Sequence, residues 1–438
     1  MKIIHVLNFF PPEQIAGTEI YTLILAKEQL KMGHDVSVLI PNFDTNINFT
    51  YQHEGIKVYK YAEPTKADRL VLLGKKKTAG LANFHQYLEA ELPDVVHFQE
   101  VGASNGININ HIHIAKEVNA KLIITFHVAN YTCKTGTLFY KNTTPCNGVF
   151  NIQKCTSCYI ASKEMWLQAS VLTILTNTLY SLNINTATWQ NKIGTALASN
   201  FIVEKNYSLT QEIIDLANHV VVISQWYKEV LLANSFDANK ITLIKQQFEL
   251  DAQINKPDIA EANNEKLALV FLGRLSPIKG IQHLIDVIIQ LPKDKVTLDI
   301  YGQTTDFQFE QVLKNKTKDF PNVHWAGRLP QEEVIPTLQK YDALCLCSTV
   351  CEMSPLVIDD AFNAGIPVIA SNVLGNAEKI IHNVNGFLFN FNDSIDLLSN
   401  INKCLIDSNI IKRLKQNIYK LDGFKAIAKA YDNIYSKQ

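Results

Sequence analysis

Short apolar runs alternate with longer helix-spaced stretches along the chain, and the alternation occurs twice. In the first half, Lys2–Leu7, Val36–Ile40, Val95–Phe98, Leu122–Phe126 and Val220–Ile223 read as buried strands bounded by polar or turn residues. Between the first two, Ile20, Leu23, Ile24 and Leu30 mark one helix face, closed by Gly33. The pattern lapses over 246–266, a polar stretch with Pro257 and the cluster Glu261-Ala262-Asn263-Asn264-Glu265, which reads as a linker. It then restarts. Leu267–Leu272, Val296–Tyr301, Ala343–Cys347 and Pro367–Ala370 are expected strands, and Ile281, Leu284, Ile285 and Ile288 carry helix spacing.

Strands separated by helices imply βαβ units and parallel sheets. The expectation is an α/β protein of two doubly wound, Rossmann-like domains, 1–245 and 267–425, facing a cleft beyond the carboxyl ends of the strands. Residues 426–438 read as a helix, with packing back on the first domain left open. The first domain carries a Cys-rich insert at about 128–160 and a helical segment at about 162–216, poor in charge. That segment is either an added subdomain or an acceptor-side lid.

Composition narrows the function classes. With 438 residues, 47% of them hydrophobic and 19% charged, two cores are affordable and global disorder is excluded. A formal net charge of −1 argues against a general nucleic-acid binder. Leu70–Leu73 followed by Lys75-Lys76-Lys77 reads as a solvated loop or as a patch leaning on anionic lipid. No apolar run reaches the ~20 residues of a transmembrane helix, and no leader is legible. The expected location is cytoplasmic, with attachment to the cytoplasmic face of a membrane left open.

Two segments carry candidate chemistry. In Gly273-Arg274-Leu275-Ser276-Pro277-Ile278-Lys279-Gly280, two cations bracket a helix start at a strand's carboxyl end, a setting that suits a diphosphate. In Ser348–Ala370, Glu352 sits in the loop after a strand. Ser354 and Pro355 read there as N-cap and first helical residue, so the amides of Leu356 and Val357 would point at a ligand. Asp360 would project a second carboxylate from that helix.

The second segment resembles the Glu-x7-Glu region of retaining glycosyltransferases of family four, which have the GT-B fold. The first is similar to that family's Gly-Arg-Leu…Lys-Gly loop. The resemblance implies that Arg274 and Lys279 hold the diphosphate of a nucleotide-sugar donor, a UDP- or GDP-sugar. It also implies that Glu352 meets sugar hydroxyls, that Ser354, Leu356 and Val357 border the phosphate, and that Asp360 stands where the family binds ribose. Gly302 and Gly327-Arg328 match positions near the base. Asp360 replaces a glutamate, which retracts the carboxylate by ~1.5 Å. Pro12–Glu19 resembles the family's donor-side loop, with Ala16-Gly17 in place of paired glycines. His127, ending the strand Leu122–Phe126, matches a family histidine that meets the donor sugar.

The implied reaction is transfer to a saccharide or lipid-linked acceptor with retention of configuration, in surface polysaccharide or glycan synthesis and with no cofactor required. A catalytically weak partner subunit and a GT-B epimerase or phosphorylase stay open as alternatives. Finally, Cys133, Cys146, Cys155 and Cys158 follow His127 with a Cys-x2-Cys knuckle. They are expected to hold a structural zinc; an iron–sulfur cluster and free thiols are the alternatives. The family resemblance extends to a Cys-rich-insert subgroup.

Overall fold

A computed structural model describes residues 1–14, 16–63, 77–102, 106–163, 169–189, 191–246, 266–407, 409–418 and 423–437. The Leu70–Leu73 run, Lys75, Lys76, nearly all of the 246–266 linker and residues 164–168 and 190 of the helical segment lie outside them. The chain divides into two compact units, 1–245 together with 425–438, and 246–424.

In the first unit eight strands form one sheet: β1 (Lys2–Val6), β2 (Asp35–Asn42), β3 (Phe49–His53), β4 (Ile56–Ala62), β5 (Val95–Phe98), β6 (Lys121–Phe126), β9 (His219–Val222) and β10 (Ile241–Leu243). The spatial order is β10-β9-β6-β5-β1-β2-β4-β3, and every pairing is parallel except the edge pair β3–β4. Strands buried on both faces are expected of parallel sheets, and Ile3, Ile4 and Val6 or Leu122, Ile123 and Ile124 are completely buried in this way. The order reverses between β1 and β5, so the loops after them, with Asn8 and Gln99, flank the topological switch point.

Between β6 and β9 the chain inserts the hairpin β7 (Phe139–Tyr140)–β8 (Thr144–Pro145) and four helices: α1 (Ile152–Ala161), α2 (Ala169–Ser181), α3 (Lys192–Leu197) and α4 (Ser199–Leu216). Asn151 and Asn191 start two of them, accepting from the amides of Lys154 at 2.9 Å and Gly194 at 2.6 Å. The C-terminal helix Phe424–Ser436 supplies Tyr431 and Tyr435 to the first unit's polar interior. The Tyr431 hydroxyl accepts from Tyr21 at 3.0 Å, and the Tyr435 hydroxyl accepts from Gln29 at 3.1 Å.

The second unit holds β11 (Leu267–Leu272), β12 (Val296–Tyr301), β13 (Val323–Gly327), β14 (Ala343–Leu346), β15 (Val368–Ser371) and β16 (Gly386–Phe389). All pairings are parallel in the order β13-β12-β11-β14-β15-β16, which is the 3-2-1-4-5-6 order of a Rossmann sheet. Alternation along β11 builds two cores. Leu267, Leu269 and Phe271 pack with Ile281, Leu284 and Ile285 of α5 (Ile281–Ile288), whereas Val270 packs with Ile358 and Phe362 of α6 (Leu356–Asn363). The switch point lies between β11 and β14.

No helix among the described residues is long and apolar enough to cross a membrane.

Candidate functional site

The two motif loops of the second unit leave β11 and β14 side by side at that switch point, and close backbone approach is what their glycines permit. Gly280 sits at φ +69°, and a Cβ there would lie 1.8 Å from the carbonyl oxygen of Cys347. Gly302 likewise has the carbonyl oxygen of Gly273 where a Cβ would be, at 2.0 Å, and its amide donates to Gly327 at 2.8 Å. The ends of β11, β12 and β13 are thus drawn together, bringing Arg274, Gly302 and Arg328 to one edge of the sheet. Arg274 and Arg328 are exposed, and neither enters an ion pair among the described residues.

With Gly280 against Cys347, the neighbouring Lys279 reaches the second loop. Its Nζ lies 2.6 Å from Glu352 Oε1, and Ser348 Oγ donates to the same oxygen at 2.6 Å. Side-chain exposures of 23% and 14% make this a largely desolvated pair. Both contacts fall on Oε1, which leaves Oε2 as the carboxylate oxygen open to another donor among the described residues. The amide of Thr349 bonds the carbonyl of Ile278 at 2.9 Å, and Ser371 Oγ bonds that of Ser348 at 2.7 Å, so the loop is held from two sides.

The start of α6 differs from expectation by one residue. Pro355 is the N-cap, extended at φ −68° and ψ 118°, with Leu356 the first helical residue; Ser354 Oγ turns instead to the carbonyl of Gln246 at 3.4 Å. Proline's φ suits either position, and the hydroxyl found another acceptor. The amide of Ile358 bonds Pro355, so those of Leu356 and Val357 precede the first intrahelical bond and face outward from the helix's positive end.

Asp360 sits one turn beyond Leu356 and is half-buried; burial first, then Asp359, pushes its carboxyl up to about 7. The fully buried partner went unrecognised in the sequence. Asp359 pairs with Lys379, whose Nζ also donates to the Pro355 carbonyl at 3.3 Å and so pins the start of α6. Burial raises Asp359 to about 6 despite that partner. Two adjacent acids on an apolar helix are the sequence signal, because one of them must turn inward.

In the first unit His127 follows β6. Its Nε2 lies 2.9 Å from Gln99 Oε1, and its ring meets Tyr21 edge-on with centroids 4.8 Å apart. Burial lowers its pKa to about 3, so the imidazole is neutral. Gly17 opens the helix Gly17–Lys31 behind Ala16 and is exposed. Two residues on, Glu19 is buried with only Oε1 satisfied, by Gln14 at 3.0 Å.

The four insert cysteines are free, and Cys155 and Cys158 have their thiols raised by burial, with Cys133 and Cys146 adding to the effect on both and Cys158 adding to that on Cys155. They are therefore neighbours, and Cys158 Sγ accepts the Lys141 amide at 3.2 Å. Yet no group of three or more His, Cys, Asp or Glu among the described residues is placed to hold a metal ion.

Residues 252–421 match the family model described as glycosyl transferases group 1. The chain is similar to an uncharacterized 41.2 kDa protein in the cps region of Klebsiella pneumoniae, 26% identical over 50% of this chain and 58% of that protein. It thus spans little more than half the length of that relative. Among solved structures, sucrose-phosphate synthase of Thermosynechococcus elongatus superposes with a TM-score of 0.68 at 15% identity, covering 99% of this chain and 98% of that one. The Anabaena protein Alr3699/HepE in complex with UDP does so at 0.60 and 17%, covering 99% and 97%. At these identities the likeness is one of fold. The chain therefore carries a glycosyl transferases group 1 domain over residues 252–421, and its two parallel-sheet α/β units are those of the GT-B fold.

Proposed function

We propose that the protein is a glycosyltransferase that takes a sugar from a nucleotide-sugar donor and passes it, with retention of configuration, to a saccharide or lipid-linked acceptor in surface glycan synthesis. The observation that carries this reading is the Lys279–Glu352–Ser348 cluster at the switch point, with the free helix end of α6 beside it in sequence. Glu352 compensates Lys279, whereas Arg274 has no such partner among the described residues, so the loop keeps a net positive charge for a diphosphate.

In this reading Arg274, Lys279 and the amides of Leu356 and Val357 hold the diphosphate. Glu352 Oε2 accepts a sugar hydroxyl, Asp360 meets the ribose, and Gly302 and Arg328 border the base. The same groups would stabilise charge on the departing diphosphate, which takes the acceptor's proton in a front-face transfer. The Anabaena neighbour's complex with UDP favours a uridine nucleotide.

A thermal-shift series with UDP-, GDP-, ADP- and dTDP-sugars tests the reading. One nucleotide class should raise the melting temperature, and Arg274→Ala and Glu352→Gln should each abolish the rise. A protein that none of these donors stabilises would sink it.

A further inference from the structure

From residue 169 to residue 191 the chain carries no charged side chain, yet most of its described residues are exposed or partly exposed. On α2, Val171, Ile174 and Leu175 are 61%, 66% and 48% exposed, and Leu182 just beyond is 63% exposed. Their spacing of i, i+3, i+4 and i+11 is that of a single helix face, the pattern that ordinarily marks a core-facing stripe. The surface continues through Trp189 and Ile193, at 54% and 69%. So extended an apolar exposure marks a docking surface.

Among the described residues the charge beside it is mainly positive. Beside the stripe is a pocket of about 300 Å³ whose walls include Ile160 and Leu172, with Lys163, Lys192 and Ser199 also lining it and no acidic residue among the described lining groups. Both lysines are exposed. Nearby Lys134 has its pKa lowered by burial and then by Lys163 and Lys205, a set of cations repelling one another. A carboxylate on this side, Glu204, is engaged by the Tyr180 hydroxyl at 2.5 Å. An apolar face carrying a tryptophan, with lysines at its margin, matches the interface of an anionic bilayer, where acyl chains meet negative headgroups.

We propose that residues 169–189 and 191–193 seat the protein on an anionic membrane surface, with the Lys163–Lys192 pocket taking a lipid phosphate. The surface lies outside the proposed donor site, so the inference stands or falls independently of the transferase reading.

Co-sedimentation of the full chain with vesicles of phosphatidylcholine alone, or mixed with phosphatidylglycerol, tests it. Binding should need the anionic lipid and be accompanied by a blue shift of tryptophan emission that Trp189→Phe removes. Lys163→Gln with Lys192→Gln should weaken binding about 25-fold, at about fivefold per lysine. Ile174→Asn with Leu175→Asn should abolish it, while the melting temperature stays within a degree or two because both sites are exposed. Equal binding to both vesicle types, no binding to either, or binding that survives both double variants would overturn the proposal. So would a concentration-dependent dimer that Ile174→Asn with Leu175→Asn dissolves, since the face would then belong to a second copy.

Discussion

The Tyr435 hydroxyl lies 2.7 Å from His97 Nδ1, which ties the last helix to a central strand of the first sheet. The bond belongs to a chain of buried polar contacts. His127 donates to Gln99, Gln99 to His5 Nδ1, His5 to Gln29 and Gln29 to Tyr435, and the contacts continue from Tyr435 through His97 and Thr125 to Tyr431. His5 and His127 thus carry a proton on Nε2, and burial lowers the pKa of all three histidines, which keeps them neutral. Tyr435→Phe leaves His97 and Gln29 each short of a buried partner and should cost about 1–3 kcal/mol in urea unfolding. Tyr180→Phe, at the surface, should cost under about 0.5 kcal/mol.

Acidification should weaken the first unit. Burial lowers His5 to about 4 and His111 and His127 to about 3, whereas the unfolded chain titrates near 6.5. Below about pH 6.5 the unfolded state takes up protons that the folded state refuses, so stability falls as pH drops towards 4. Each histidine contributes a slope of at most about 1.4 kcal/mol per pH unit.

The second unit should respond with the opposite sign. Asp359 and Asp360 titrate near 6 and 7 when folded and near 3.8 when unfolded, so the folded state binds more protons between pH 7 and 4. Stability from these two groups rises as pH falls through that window. Calorimetry at pH 7.5 and pH 5 should show the two transitions moving in opposite directions, and parallel movement would refute this assignment of buried charge.

Lys379→Met should destabilise the second unit by about 3–5 kcal/mol, because it strands the Asp359 carboxylate in the core. Lys379→Met combined with Asp359→Leu should recover most of that loss. A donor-affinity defect that persists in the recovered double variant would isolate the contribution of the Lys379 bond to the Pro355 carbonyl.

Gly280→Ala should damage the donor-side loop beyond ordinary strain. Positive φ alone costs about 1 kcal/mol or more, and the added methyl overlaps the Cys347 backbone, which no rotamer change relieves. Loss of nucleotide-sugar binding with an unchanged first-unit transition is the expected outcome by calorimetry and thermal shift.

What could be read from the sequence follows from where the information is local. Central strands such as Leu267–Leu272 are legible because burial on both faces demands an unbroken apolar run. Edge strands β3 and β10 are not, since Phe49–His53 is largely exposed and Ile241–Leu243 spans three residues. The glycine and lysine of the β11 loop were recognisable, and their closeness to Glu352 depends on the switch point that the strand order creates. Ser354 was misplaced by one position because a hydroxyl beside a proline fits two cap registers. The histidine run was invisible: His5, His97 and Tyr435 are brought together only by parallel register and by a helix hundreds of residues away.

That helix also sets an order of events during synthesis. The first unit is built from residues 1–245 and 425–438, so its polar interior waits for Tyr431 and Tyr435 while residues 246–424 are made. At ordinary translation rates this interval is roughly 10–40 s. Throughout it, the strands carrying His5 and His97 lack the hydroxyls that satisfy them, and the second unit has time to fold first. The helix that completes the first unit therefore leaves the ribosome only after the whole of the second.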